Sequence, residues 1–207
     1  MNKAYRIMNK KEKKMDYNIN LPFSEEEISK IKGGDVLYLN GTVYSARDAA
    51  HKRMYDAINE YMEKTGKKQA DISSTELYEN GITPIDLKGA VLYYLGPTPA
   101  RPGQVIGSAG PTTSSRMDKY APLLLDLGLK GMIGKGKRSE AVCTSVQKNK
   151  AVYMGATGGA GALLSKCIKS SEVIAYDDLG TEAIRKMEVE NFPVTVLIDS
   201  SGVKFRV

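Results

Sequence analysis

The sequence is poor in the residues that bind metal ions. Its 207 residues include two cysteines, Cys143 and Cys167, and one histidine, His51. No CxxC motif or His/Cys cluster is possible, which excludes a zinc site of the usual kind and the four thiolates of an iron–sulfur cluster. Two cysteines in a chain without a secretory signal are expected to be reduced and buried rather than bridged. We therefore expect no metal bound by this chain alone.

Long apolar runs are missing too. No stretch reaches the roughly 18 apolar residues that a membrane-spanning helix needs. The formal net charge is +6, but residues 1–14 hold six Lys/Arg and one Glu, and the remainder has 24 basic and 23 acidic side chains. We interpret residues 1–14 as a basic, disordered leader, with a nucleic-acid-binding arm as the alternative. Residues 15–207 are predicted to form one domain, cytoplasmic, with neither nucleic acid nor membrane as a partner.

What is present is an alternation of apolar strand patterns and capped helix patterns. Helices are predicted at 24–31, 45–65, 74–79, 122–127, 139–148, 160–168 and 181–187. A capping box of Ser24 and Glu27 is predicted for the first, and caps by Ser45 and Ser139 for the second and the fifth. Strands are predicted at 36–39, 90–95, 130–133, 151–154, 173–176 and 193–198, with a turn at Asn40-Gly41 and a short last strand after residues 200–202. Such alternation is typical of a parallel sheet covered by helices.

Residues 96–118 interrupt this pattern with four prolines and four glycines. A linker is one interpretation. Since the segment lies between apolar strands, and long structured loops inside domains are often functional, a loop that forms part of a site is favoured.

Two polar side chains fall on the apolar face of the helix predicted from residue 45. At about 100° per residue, Arg47 and His51 share a face with the apolar stripe, whereas Asp48 points away; the stripe consists of Met54, Ile58, Tyr61 and Met62. Arg47 and His51 could pair with carboxylates for purely structural reasons. An arginine at a helix N-terminus is unfavourable unless an anion is near, which indicates an anion site.

Further anion-binding features follow in the long loop and after the next strand. Thr112 to Ser115 are four consecutive hydroxyl residues before Arg116, where a helical turn would favour an anion; simple capping, the alternative, needs only one hydroxyl. Lys135 lies in GKGKRS, which is either a close-approach glycine loop or a solvated basic turn. Residues 155–164, GATGGAGALL, favour close packing. Together, Arg47, Arg116 and Lys135 could neutralise a small dianion.

The same segments carry a family resemblance. LNGTVYSARDAAHKR, YYLGPTPARPGQVIGSAGPTTSSRMD, GLKGMIGKGKRS and AVYMGATGGAGALLSKCIK, in this order, resemble the β subunit or C-terminal domain of class I, iron–sulfur fumarate hydratases. The likeness runs from about Phe23 to the C-terminus. The β subunits of L-tartrate dehydratase and mesaconate hydratase are similar. The tartrate enzymes commonly read GKGGMG where this chain reads GKGKRS, so the resemblance favours fumarate.

The resemblance implies a fold, a partner and residue roles. The fold would be an α/β swivelling β/β/α domain, with a mainly parallel central sheet flanked by helices and a second, smaller sheet. A partner α subunit, in an α2β2-type assembly, would hold a [4Fe–4S] cluster through three cysteines, and its open iron would act as a Lewis acid on the leaving hydroxyl.

By the same resemblance, this chain would bind a small dicarboxylate. Arg47, Arg116 and Lys135 would hold its carboxylates and Thr112 would take part in proton transfer, with Asp48, His51 and Thr113 in support. A non-catalytic anion-binding module is the alternative from a different class of function.

Overall fold

The computed structural model describes residues 14–157 and 160–205. Seven strands and six α-helices are found there, joined in places by 3-10 turns. The strands are β1 Asp16–Asn20, β2 Val36–Ser45, β3 Val91–Tyr93, β4 Gly131–Gly134, β5 Val152–Gly155, β6 Ile168–Ala175 and β7 Ile184–Ile198. The α-helices are α1 Glu25–Lys30, α2 Asp48–Thr65, α3 Ser74–Glu79, α4 Ala121–Asp126, α5 Glu140–Lys148 and α6 Gly161–Leu164.

All seven strands belong to one mixed sheet that closes on itself. Strands β1 to β5 are parallel neighbours in sequence order, and β7 runs antiparallel to both β5 and β2. The pairing of β7 with β2 closes a five-stranded barrel of β2, β3, β4, β5 and β7, with β1 and β6 as outer neighbours. The predicted mixed α/β class is therefore confirmed, but in the described residues the expected second, smaller sheet is part of the same sheet.

Two apolar cores lie on opposite faces of this sheet. Alternate residues of each strand serve the two cores, as the two-residue repeat of a strand requires. Val91, Tyr93 and Ile133 belong to the core inside the barrel, whereas Leu92 and Met132 pack outward against the helices. Because both faces are covered, the central strands are apolar at every position, which is why the sequence shows them as continuous runs.

The predicted helix at 181–187 is wrong. The chain forms a 3-10 turn at Asp177–Glu182 and then enters β7. Ile184 and Met187 are spaced like neighbours on a helix face, but they lie in different cores, Ile184 outside the barrel and Met187 inside it. In a strand, residues three apart point to opposite faces. Two-sided burial therefore produced an apparent helical spacing.

The predicted turn at Asn40-Gly41 and the predicted cap at Ser45 are also wrong. Strand β2 passes through Gly41 with a bulge opposite β7, where Gly41 has φ +109°. Strand β2 extends to Ser45, whose hydroxyl donates to the carbonyl of Ala183 and accepts from the amide of Arg185 instead of capping a helix. Helix α2 begins at Asp48, with Arg47 at the N-cap position and no capping bond from its side chain.

Other local predictions are confirmed. The capping box of Ser24 and Glu27 is formed at α1, α3 spans the predicted residues, and Ser139 caps α5. Apart from Lys14, the predicted leader lies outside the described residues. No helix in the part of the chain that the structure describes is long and apolar enough to cross a membrane.

The topology gathers the predicted site residues at one edge of the barrel. Strands β2, β3, β4 and β5 are parallel, so their carboxyl ends meet at one edge. The segments that follow β2, β3 and β4 contain Arg47, the long loop with Thr112 and Arg116, and Lys135. The carboxyl edge of a parallel sheet is the usual place for a ligand.

Candidate anion-binding site

Main-chain hydrogen bonds fix the hydroxyl-rich segment against the ends of β3 and β4. The amide of Thr112 donates to the carbonyl of Tyr94 (2.7 Å), and the carbonyl of Thr112 accepts from the amide of Lys135 (3.3 Å). The amide of Ser114 donates to the carbonyl of Lys135 (2.9 Å). The segment is thus a short extension of the barrel edge, which places Thr112 and Thr113 beside Lys135.

The buried Tyr153 supports the hydroxyl-rich segment through hydrogen bonds. The hydroxyl of Tyr153 lies 2.9 Å from Ser114 Oγ and 2.8 Å from the carbonyl oxygen of Gly136, so it joins two loops. Burial raises the pKa of Tyr153 to about 12, which keeps this hydroxyl protonated. A Cβ at Gly134 would overlap Ser114 Oγ, so a glycine is required there.

The capping interpretation of the hydroxyl residues is not supported by the geometry. Thr113 is at the N-cap of the 3-10 turn Ser114–Met117, and its side chain makes no capping bond. Ser114 is buried and bonded to Tyr153. No residue in the described ranges provides a hydrogen-bond partner for the half-buried Thr112 hydroxyl. Thr112 therefore offers a hydroxyl group to a ligand at this edge.

An ion-pair network joins the two predicted arginines through Asp48. One oxygen of Asp48 lies 2.6 Å from Arg116 Nε, and the other lies 3.3 Å from Arg47 Nε. The Arg116 side chain is 49% exposed, whereas that of Arg47 is 21% exposed. Since Asp48 engages Arg116 through Nε, both terminal nitrogens of Arg116 remain available to grip a carboxylate with two hydrogen bonds.

Glu182 is a member of this network that the sequence analysis missed. Its Oε1 lies 3.2 Å from Nη2 of Arg47, and its Oε2 accepts from the amide of Ala49 (2.8 Å). Glu182 therefore caps α2 from a distant segment and neutralises the arginine at the N-cap. A glycine at position 96 leaves room for Arg47, because a Cβ there would come 2.6 Å from Nη1. Arg47 thus pairs with carboxylates, which is the structural alternative for this residue, and it also lies at the edge that carries the candidate site.

His51 lies one turn further along α2 and is fully buried. Its Nδ1 is 2.9 Å from the carbonyl oxygen of Arg47, which can only accept, so Nδ1 carries the proton. Burial lowers the pKa of His51 to about 4, against the opposing effect of this hydrogen bond. His51 is therefore neutral at neutral pH, and its Nε2 has no partner among the described residues.

A second residue that the sequence analysis missed is Arg138. GKGKRS suggested a solvated turn, but the Arg138 side chain is fully buried, with Nε 2.6 Å from Asp118 Oδ1. Its guanidinium lies over the rings of Tyr94 and Tyr153, 5.3 and 5.0 Å from their centroids. The other oxygen of Asp118 accepts from the amide of Ser139 (2.6 Å). Arg138 thus ties the loop containing Arg116 to the loop containing Lys135.

The glycine-rich segment after β5 has the predicted packing role in its described part. A Cβ at Gly161 would overlap Ser108 Oγ, and the carbonyl of Gly161 accepts from the amide of Ala109 (3.0 Å). Close backbone contact therefore fixes the long loop against α6.

The side chains of this chain do not fit an iron–sulfur cluster. In residues 14–157 and 160–205, no group of three His, Cys, Asp or Glu side chains could hold a metal ion. Both cysteines are free thiols, and burial raises the pKa of Cys143 and of Cys167, which opposes formation of the thiolates that a cluster needs.

The fold and the site define an α/β barrel domain whose carboxyl edge carries two arginines, a lysine and a threonine hydroxyl that has no partner among the described residues. Residues 2–206 match the family described as Fumarase C-terminus. The chain belongs to this family.

Individual relatives fall into two groups by length. The chain is 35% identical to "Fumarate hydratase class I, anaerobic" of Escherichia coli K12, and 36% identical to "Fumarate hydratase 1, mitochondrial" of Leishmania major. Each alignment covers 91% of this chain but 32% of the relative, so the chain spans about a third of these proteins. It is 32% identical to "Putative L(+)-tartrate dehydratase subunit beta" of Methanocaldococcus jannaschii, over 91% of this chain and 89% of that protein.

Proposed function

We propose that this chain is the β subunit of a hydro-lyase that interconverts fumarate and L-malate by reversible hydration. The observation that carries the proposal is the arrangement at the barrel edge, where Arg47, Arg116, Lys135 and Thr112 come together in a member of the Fumarase C-terminus family.

In the proposed reaction the arginines bind and orient the substrate. Arg116, whose recorded contact with Asp48 is through Nε, grips one carboxylate with its two terminal nitrogens. Arg47 has Nε near Asp48 and Nη2 near Glu182, so it contributes fewer hydrogen bonds and mainly positive charge. Lys135 is exposed and adds a further charge at the same edge. Two internal carboxylates, Asp48 and Glu182, already balance the charge of the two arginines.

Thr112 has the proton-transfer role in this proposal. Its backbone is held on both sides, and its hydroxyl has no partner in the described residues, so it is free to bond to the substrate. A threonine hydroxyl is a weak base, and therefore Lys135 and the arginines must stabilise its deprotonated form, or the hydroxyl relays the proton to another group.

The remaining catalytic group is assigned to a partner. Because this chain does not fit a cluster, we propose that an α subunit with three cysteines holds a [4Fe–4S] cluster and that the two subunits share the site. The partner would account for the two thirds of the class I relatives that this chain does not span.

A second candidate is the β subunit of an L-tartrate dehydratase. One observation favours it: the relative from Methanocaldococcus jannaschii is matched over 89% of its own length. Both substrates are small dicarboxylates, and the arginine arrangement suits either.

The test is co-expression with a neighbouring gene that encodes a three-cysteine subunit, followed by anaerobic reconstitution. Fumarate, L-malate, L-tartrate and mesaconate are then assayed as substrates. The proposal expects the highest kcat/KM for fumarate and L-malate, and none for either subunit alone. Preference for L-tartrate would support the second candidate. No turnover of any diacid by an assembled, cluster-loaded complex would leave the anion-binding module as the better description.

A further inference from the structure

A cleft adjoins the arginine site at the same edge of the barrel. It has a volume of about 290 Å³ and is lined by residues 97–100 and 105–107 of the long loop, by Asp177, Gly180 and Thr181, and by Arg185. Arg185 is the second residue of β7 and lies opposite Ser45, the last residue of β2, whose Oγ accepts from its amide (3.0 Å). The cleft is thus at the carboxyl ends of the parallel strands, but on the β7 side of Arg47.

Arg185 differs from three other arginines of the described chain, because it has no carboxylate partner there. Arg47, Arg116 and Arg138 each pair with a carboxylate within 4 Å. The Arg185 guanidinium has no ion pair or hydrogen bond with the described residues, although its Nε is buried. A buried N–H donor without a partner is costly, and such a group is often explained by a ligand or an ordered water.

The wall of the cleft is held in shape by the loop itself. The amide of Ser108 donates to Thr98 Oγ1 (2.8 Å), and the amide of Thr98 donates to the carbonyl of Ser108 (3.3 Å). A Cβ at Gly107 would overlap the carbonyl oxygen of Thr98, so only glycine lets the two halves of the loop approach this closely. The cleft is therefore a preformed feature of the fold rather than a gap between loose segments.

We propose that Arg185 and this cleft form a second subsite, which binds one carboxylate group of a small organic acid. A guanidinium recognises a carboxylate with two parallel hydrogen bonds, and the two terminal nitrogens of Arg185, which are not enclosed as its Nε is, form an edge that can do so. The volume suits a molecule of a few carbon atoms and not a nucleotide. Asp177 also lines the cleft without pairing with Arg185, and it disfavours a second negative charge, so a single carboxylate is preferred over a phosphate dianion.

Two sources could supply this carboxylate. It could be the far end of a dicarboxylate that also contacts Arg47, or it could belong to a separate monocarboxylic acid. The subsite does not depend on the hydration reaction, because its evidence is the cleft and the unpaired arginine.

The experiment uses the purified full-length chain, labelled with ¹⁵N, and follows the Nε–H signals of its arginines by NMR. Succinate and acetate are titrated, with sodium chloride at equal ionic strength as the reference. Calorimetry gives the dissociation constants for Arg185→Gln and for its matched control, Lys186→Gln. Lys186 is the next residue of β7, is exposed and points to the opposite face, so the control removes the same charge away from the cleft.

We expect succinate to shift the Arg185 Nε–H signal and Arg185→Gln to weaken succinate binding about tenfold or more, as the loss of a charged hydrogen-bond pair predicts. Lys186→Gln should change it less than about twofold, since only screened charge is lost. The proposal is overturned if the Arg185 signal responds to chloride as it does to the acids, or if the two variants bind succinate equally.

A third variant, Arg47→Gln, identifies which kind of acid supplies the carboxylate. If the Arg185 shift by succinate is lost in this variant and acetate has no effect, one dicarboxylate spans both sites. If acetate shifts the signal and Arg47→Gln leaves that shift intact, the cleft binds a separate acid. Either outcome supports the subsite, and neither requires hydratase activity, so failure of the proposed function would be seen separately in the assay of the assembled complex.

Discussion

The domain contains two arginine–aspartate pairs within one loop region, and they differ in their surroundings. Arg116 and Asp48 pair at the rim, where the arginine side chain is 49% exposed. Arg138 and Asp118 pair beneath it, where the arginine side chain has no exposure and lies over two tyrosine rings. The ion-pair distance is 2.6 Å in both cases.

The difference shows how the same chemistry can serve binding or structure. At the rim, water and salt screen the Arg116–Asp48 pair, which therefore contributes little to stability. Arg116 is thus accessible to a ligand. In the core, breaking the pair would leave an uncompensated charge. We therefore expect changes at the rim to affect binding and turnover, and changes beneath it to affect folding.

The largest effect is expected for Arg138→Met, which fills similar space but leaves Asp118 without its partner. The free energy of unfolding should fall by about 3–5 kcal/mol, as for other buried pairs broken on one side. Urea denaturation measures it, with Arg53→Met as the control, because the Arg53–Asp178 pair is exposed and screened by water and salt, so its loss should cost far less. Equal losses in the two variants would show that burial does not distinguish the pairs.

At the rim, Arg116→Lys in the assembled enzyme is expected to lower kcat/KM by about 10²- to 10³-fold, with both KM and kcat affected. Lysine keeps the charge but loses the planar fork. Stability should change by less than about 0.5 kcal/mol, since the side chain is half exposed. Near-normal kinetics would remove Arg116 from the substrate site, and a large loss of stability would make it resemble Arg138.

The buried His51 is expected to make the free energy of unfolding depend on pH. Its pKa is about 4 in the folded chain and about 6.5 when unfolded, so the unfolded state binds the proton more readily. Stability should therefore be complete above about pH 6.5 and should fall as the pH drops toward 4, by about 3 kcal/mol in all. Unfolding free energies from pH 7 to 4 for the native chain and for His51→Gln measure this, and parallel curves would show that His51 is not the cause.

Sequence reasoning selected Arg47, Arg116, Lys135 and Thr112 as a candidate site, which stays a prediction, and it missed the buried pair of Arg138 and Asp118. The four residues could be selected because their charges and hydroxyl group lie in short motifs that also carry the family resemblance. Arg138 in GKGKRS looked like another solvated cation, because its partner Asp118 is 20 residues away and its burial comes from tertiary packing.

The prediction of the fold also succeeded where a local pattern was sufficient and failed where tertiary packing decided. Strands with one continuous apolar run were found near their true positions, since local pattern is enough to identify them. Strand β7 was split into a helix and a strand, because Ile184 and Met187 serve different cores and no local signal reports which side of a sheet a residue faces. Glu182 was missed for this reason, as it lay inside a supposed helix.

Thr112 tests whether the rim loop is functional or structural. Thr112→Ala should reduce turnover by about 10²-fold or more if its hydroxyl takes part in proton transfer, with little change in substrate binding because the cations remain. Thr112→Ser should keep part of the activity, since it retains the hydroxyl and loses the methyl group that restricts its rotamer. Thr113→Ala is the neighbouring control. Full turnover in Thr112→Ala would leave the proton-transfer group to be found, with the partner as the first place to look.

The smallest effect is expected for Glu182→Gln, which lies between rim and core with a side chain 22% exposed. Glutamine has one oxygen and no charge, so in the present geometry it cannot keep both the hydrogen bond from the Ala49 amide and the contact of Glu182 with Arg47. Loss of one of these bonds at the start of α2 should cost about 1 kcal/mol of stability, comparable to a lost helix cap. Asp178→Asn is the matched control on the same 3-10 turn, and its exposed pair with Arg53 is screened by water and salt, so this change should be nearly silent. Urea denaturation of both variants would decide the point: if Glu182→Gln were as silent as Asp178→Asn, α2 would not need its distant cap, and Arg47 would be held in place by Asp48 alone.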